Sequence, residues 1–154
     1  MKKNKTKEQK KTDDKQFIFK NYHIDTFFKL LVTLKLKPDM ARVRNRVVDI
    51  IAKKDEEFKK NNEALLKLYG KKGKDGKVII SEQDGRTTVQ LSNVQKYSDE
   101  YKKLLDEDVI IDLLPSNTSD FKAIKVILSK LDVEMDYTDT KILDELLERF
   151  NLIK

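Results

Sequence analysis

Three of the five arginines in this chain, Arg42, Arg44 and Arg46, fall within five residues, in a sequence that otherwise uses lysine for its cations, 28 times. Arginine offers a planar fork that grips a carboxylate or phosphate through two parallel hydrogen bonds, which lysine cannot do. On a helix Arg42 and Arg46 share a face and Arg44 lies across from them. They fall in the first two turns of a long helical pattern, where the helix dipole disfavours cations, so something must offset that cost. One reading is a binding surface for carboxylates or phosphates on a partner. The other is internal bridging, from Arg46 to Asp49 or from the cluster to the acidic C-terminal helices. Arg42, Arg44 and Arg46 are the candidate binding residues, and no catalytic or metal-binding residue stands out beside them.

Other groups capable of chemistry are poorly placed for it. There is one histidine, His23, and no cysteine, which rules out disulfides, thiolate metal sites, and the familiar His-based zinc and triad arrangements. His23 can titrate near neutral pH, but with no candidate nucleophile it reads as a polar residue at a helix start. The stretch from Gly70 to Lys77, GKKGKDGK, lacks the phosphate-loop spacing and does not lead from a strand into a helix; it reads as a plain loop. Asp106, Glu107, Asp108 and Asp112 cluster, but on a helix only Asp108 and Asp112 would share a face, so a solvated helix end is expected rather than a hard-cation site. Asp132, Glu134, Asp136 and Asp139 alternate without an EF-hand pattern. No cofactor is expected.

The charge is unevenly spread. Of the net +6, residues 1–12 supply +5, with six lysines against Glu8, while residues 97–154 hold 14 acids and 8 bases. The body is therefore basic early and acidic late. Residues 1–15 lack apolar periodicity and read as a disordered basic tail. No aromatic residue interleaves with its lysines, so base stacking is not supported, although counterion release from a nucleic acid is possible chemistry. No apolar run reaches the roughly 18 residues of a membrane span and the N-terminus lacks a signal-peptide core, so a cytoplasmic protein without membrane contact is expected.

The elements that must position these residues follow from periodicity. Gln16–Lys20 reads as a short strand with Phe17 and Phe19 on one face. Ile24, Phe27, Phe28, Leu31 and Leu34 predict a first helix from about Ile24 to Leu36, with Asp25 or Asn21 near its start. Pro38 breaks it, and Asp39 is placed to cap the next. Met40–Tyr69 contains no proline or glycine and predicts one long helix, a helical hairpin or coiled-coil-like arm, whose apolar stripe runs from Met40 through Val47 and Ile51 to Leu68. Gly70 stops it. Asp84-Gly85 predicts a hairpin at about 78–91, which Phe17–Phe19 could join. Ser92 with Gln95 reads as a capping box for a third helix burying Val94, Tyr97, Tyr101, Leu104 and Leu105. Val109–Leu114 fits helix or strand equally. Ser119 or Asp120 starts a fourth helix over Phe121–Leu131, Val133–Met135 reads as extended, and Thr138 or Asp139 starts a last helix burying Ile142, Leu143, Leu146, Leu147 and Phe150. The fold class is mainly α (α+β): a single domain over 16–154, a helical bundle with one long helix and a small antiparallel β-hairpin.

The segment from Phe17 to Gly70 resembles a family of short, uncharacterised proteins from tailed phages and prophages of low-GC Gram-positive bacteria. The likeness rests on Leu34-Lys35-Leu36-Lys37 closing the first helix, on the arginine-rich start Ala41-Arg42-Val43-Arg44-Asn45-Arg46, and on Leu65-Leu66-Lys67-Leu68-Tyr69-Gly70 closing the long one. The Lys/Asp/Gly loop and the final ILDELLERF helix also look similar. The basic tail before Gln16 departs from that pattern. The resemblance implies a phage context and carries no catalytic residue over.

Together these readings lead to the expectation of a non-enzymatic protein-binding module of viral, bacteriophage origin. It would act on a host or virion protein, in countering host defence, in takeover or in particle assembly. Segregated basic and acidic regions would steer such a partner. The alternative is a nucleic-acid-associated protein using the lysine tail and Arg42, Arg44 and Arg46. A third reading is a metal-dependent nuclease using the C-terminal acids.

Overall fold

A computed structural model describes residues 16–153; the expected basic tail falls outside the described residues. The chain runs β1 (Gln16–Lys20), a 3-10 turn (Asn21–His23), α1 (Ile24–Val32), α2 (Pro38–Tyr69), β2 (Ile80–Gln83), β3 (Arg86–Val89), α3 (Val94–Leu105), β4 (Asp108–Asp112), α4 (Thr118–Ser129) and α5 (Tyr137–Phe150). The class is mainly α with two small antiparallel strand pairs, as the periodicities predict.

β1 does not join the hairpin. It pairs antiparallel with β4, with Phe17 opposite Ile111 and Phe19 opposite Val109. This settles Val109–Leu114, which read equally as helix or strand: the strand pattern wins because Val109 and Ile111 alternate inward beside two buried phenylalanines. Asp108 and Asp112 fall on the outer face, tied to Lys20 at 2.8 Å and to Gln16 at 3.0 Å. Five fully buried rings form the centre of the core: Phe17, Phe19, Phe27, Phe121 and Phe150. Phe17 is the hub, stacked on Phe150 at 4.4 Å between ring centres and within 6.2 Å of the other three. Burying a ring of this size stabilises by roughly 1.5–3 kcal/mol relative to exposure.

α1 stops at Val32, four residues short of Leu36. In a continued helix the Leu34 carbonyl would take the N–H of residue 38, which is Pro38 and has none. The Arg44 guanidinium donates to that carbonyl instead, and Thr33 turns its hydroxyl back onto Lys29 O at 3.0 Å. Lys37 is extended, with φ −63° and ψ 155°, and Pro38 takes the first helical position of α2. Asp39 lies inside the first turn and is not the cap, because proline is the better residue at that first position.

The long helix forms unbroken, but its stripe divides. Val47 and Ile51 are fully buried, Phe58 packs on the edge of the core, and Leu68 is two-thirds exposed. Gly70 stops α2 for a reason other than a left-handed cap. Its φ is −70°, and an added Cβ would lie 2.5 Å from Leu66 O and 2.6 Å from the Val78 side chain. Asp84 and Gly85 both have positive φ, 52° and 73°, as the type I′ hairpin turn between β2 and β3 requires.

Three helix starts shift. Asn93, not Ser92, caps α3 by accepting from the Lys96 N–H at 3.0 Å, while the Ser92 hydroxyl closes on Tyr69 O. Val94, expected inside, is exposed. α4 begins after Asn117, whose side chain holds the preceding turn through Leu114 N–H at 2.7 Å. That leaves Asp120 free for another use. Asp136 caps α5 by accepting from Asp139 N–H at 2.7 Å, and Val133–Met135 forms no strand.

Candidate functional site

The arginines predicted as a cluster are separated by the fold. Arg46 reaches from the third turn of α2 to α4, where its Nε and Nη2 each donate to one Asp120 oxygen at 2.8 Å. Asp120 is buried, and the guanidinium holds its carboxyl below the usual carboxylate range. The internal-bridge reading is therefore the correct one for Arg46, with Asp120 rather than Asp49 as partner. Arg44 is half-buried and ties α1 to α2 through Leu34 O, with its Nε donating to Asn45 at 3.0 Å. Only Arg42 is exposed with no hydrogen bond or ion pair among the described residues. Of the three candidate binding residues, one remains available to a partner.

An apolar groove of about 370 Å³ opens beside the Leu34 turn, lined by Leu30, Thr33, Leu34, Lys35, Leu131 and Val133. It lies between the end of α1 and the linker from α4 to α5. Val133 is 60% exposed and nearby Val32 47%. Lys35 sits at the rim, and Lys37 and Arg42 follow along the chain. Sequence periodicity could not show this groove. Leu34 and Leu131 read simply as helix-interior positions, and only the early end of α1 and the irregular linker turn them toward a shared opening.

A second feature was also missed. His23 is 1% exposed. Its Nδ1 accepts the Lys20 backbone N–H at 3.0 Å, so the ring proton resides on Nε2, which donates to Glu145 Oε2 at 2.6 Å. The same oxygen accepts the Tyr22 hydroxyl at 2.7 Å. Burial is the largest effect on His23 and pushes its pKa below the ordinary value, against the pull of Glu145. Tyr22 is pushed up to about 12, first by its bond to Glu145. The Tyr22 and His23 bonds hold the Glu145 carboxyl low. This cluster clips the β1–α1 corner onto α5. A second bridge, Thr26 and Lys29 to Asp139 at 3.1 and 2.8 Å, runs alongside. The acids that looked like idle charge in the last helix are thus partly structural.

The fold is that of a small mainly helical α+β protein with an apolar groove beside α1, and among the described residues no metal-ligand side chains converge. The chain belongs to a family described as proteins of unknown function (DUF1617), whose pattern matches residues 15–154. No curated protein and no solved structure matches it. No helix is long and apolar enough to cross a membrane.

Proposed function

We propose that this is a non-enzymatic, phage-encoded protein-binding module that occupies a surface of a host or virion protein in the host cytoplasm. The observation that carries the reading is the groove between α1 and the α4–α5 linker. It is lined by the half-buried Leu34 and Leu131 and the exposed Val133, with Lys35 at its rim; Lys37 and Arg42 follow along the chain. An apolar centre with a polar rim is the anatomy of a protein interface. The phage context rests on the sequence resemblance around Leu34–Lys37, Ala41–Arg46 and Leu65–Gly70. In the alternative, in which the lysine tail and the arginine cluster hold nucleic acid, the cluster would contribute through Arg42, since Arg44 and Arg46 are already engaged.

Capture of partners on immobilised protein, from infected and uninfected host lysate, tests the proposal. A partner held by the wild type and lost with Val133→Glu and with Arg42→Ala supports it. Equal recovery by the wild type and both variants, each with unchanged melting, would place any binding elsewhere.

A further inference from the structure

Residues 64–96 carry a charge that the core does not explain. Between Ala64 and Lys96 only Gly70 is buried. The last turns of α2, the glycine-lysine loop and the β2–β3 ribbon form an arm held by a thin layer of half-buried side chains, among them Leu65, Tyr69, Val78, Ile79, Val89 and Leu91. Residues 16–153 contain 25 bases and 24 acids; the arm has seven of those bases and three of the acids. The arm is therefore +4 and the rest of the described chain −3. All seven cations are exposed: Lys67, Lys71, Lys72, Lys74, Lys77, Arg86 and Lys96. None is in an ion pair among the described residues, whereas six of the 18 bases elsewhere are: Lys20, Lys29, Arg46, Lys54, Lys59 and Lys103. Asp75, the one acid inside the loop, turns its carboxylate onto the Lys77 backbone N–H at 3.0 Å.

From this we infer that the arm is a contact surface for the phosphate backbone of duplex nucleic acid. The positive charge is concentrated in the loop, with Lys71, Lys72, Lys74 and Lys77 against Asp75, while the β2–β3 ribbon carries Glu82 and Asp84 against Arg86 and adds Gln83, Thr87 and Gln90 as exposed side chains able to donate to phosphate oxygens. Lysine dominates the loop and no aromatic ring is exposed on the arm. Protein interfaces are depleted in lysine and built on aromatic and arginine anchors, so the composition favours phosphate over an acidic protein. The binding is expected to be independent of base sequence, because point-charge lysines on a Gly-rich loop neutralise phosphates without reading base edges. This surface is distinct from the groove: it lies at the C-terminal end of α2, whereas the groove is lined by residues just before its N-terminal end.

The test is fluorescence anisotropy of the full chain with a labelled duplex of arbitrary sequence, across a salt series. Two variants are compared with wild type. One carries Lys71, Lys72, Lys74 and Lys77→Gln; the other carries the same change at Lys2, Lys3, Lys5, Lys7, Lys10 and Lys11. The arm variant is expected to lose at least about tenfold in affinity near 50 mM salt, and its log–log salt slope should fall by roughly 3–4. Its melting should be unchanged, since the four lysines are exposed; if it melts early, the pairwise variants Lys71/Lys72→Gln and Lys74/Lys77→Gln replace it. Wild-type affinity in the arm variant, with loss confined to the tail variant, would overturn the inference. So would failure of the wild type to bind duplex, or its displacement by polyglutamate at equal charge, which would assign the arm to an acidic polypeptide.

Discussion

The two ends of α2 lie in different environments. Around Val47 and Ile51 the helix is pressed between α1 and α4 over a centre of stacked phenylalanines. Beyond Phe58 it packs on α3 and, through the Tyr69 carbonyl, accepts from Ser92 after the ribbon, and nothing between Ala64 and Lys96 but one glycine is buried. The first region is held by apolar area removed from water; the second by local turn geometry, a helix cap and a few half-buried aliphatic contacts. A continuous helix therefore does not imply uniform stability along its length. The head can hold a rigid groove, while the arm is built to present polar and charged groups.

The sharpest way to break this comparison is at the head. Ile51→Asp puts an uncompensated charge against a dry core and should destabilise by more than about 4 kcal/mol. Phe17→Ala removes the aromatic hub and should cost about 3–5 kcal/mol. Denaturant unfolding measures both, and unchanged midpoints would mean that the ring cluster is not the core. In the arm, Gly85→Ala forces a side chain into positive φ and should cost about 1–2 kcal/mol. That loss should appear in hydrogen exchange of residues 70–91 before it appears in global melting. Exchange of the ribbon amides as slow as that of β1 and β4 would refute the division.

Acidification sharpens the same contrast, because the ionisable clips are in the head. His23 is neutral in the fold with its pKa below the ordinary 6.5, so the unfolded chain binds the proton more readily. Stability is full above about pH 6.5 and falls as pH drops toward the folded value. Protonation would also turn the Nδ1 acceptor into a donor facing the Lys20 N–H. A second loss follows below about pH 4, as Asp120, Asp139 and Glu145, all held low in the fold, take up protons. Melting temperature should decline between pH 7 and 5, and that early decline should vanish in His23→Gln. A decline that persists in the variant would assign it to other groups.

The smallest effects concern charge pairs. Arg46→Met leaves Asp120 buried without its partner and should lower melting more than Asp120→Asn, which leaves an exposed arginine free to meet water. The reverse order would show that the bridge is not anchored at its buried end.

Sequence periodicity found β1, the long helix, the hairpin and most core positions, because each is a local pattern. It could not find the partner of β1. Phe17 and Ile111 meet across 94 residues, and nothing in either segment names the other. It misjudged the starts at Asp39, Ser92 and Thr138 because a neighbour competes with equal or better chemistry: Pro38 one residue before Asp39, Asn93 one residue after Ser92 and Asp136 two residues before Thr138. The arginines were conspicuous by type, but only geometry separates Arg46, with a buried acid in reach, from Arg42, with none. His23 looked idle because its partner, Glu145, comes from the last helix.

The pairing of β1 with β4 also sets a clock. On the ribosome β1 is made first and its partner about 90 residues later, which at 5–20 residues per second is roughly 5–18 s. For that time Phe17 and Phe19 travel as an unpaired, sticky edge, the kind of segment that nascent chains lose to aggregation. Seven lysines precede it in residues 1–15, and charge flanking an exposed apolar strand is the sequence feature that disfavours such association.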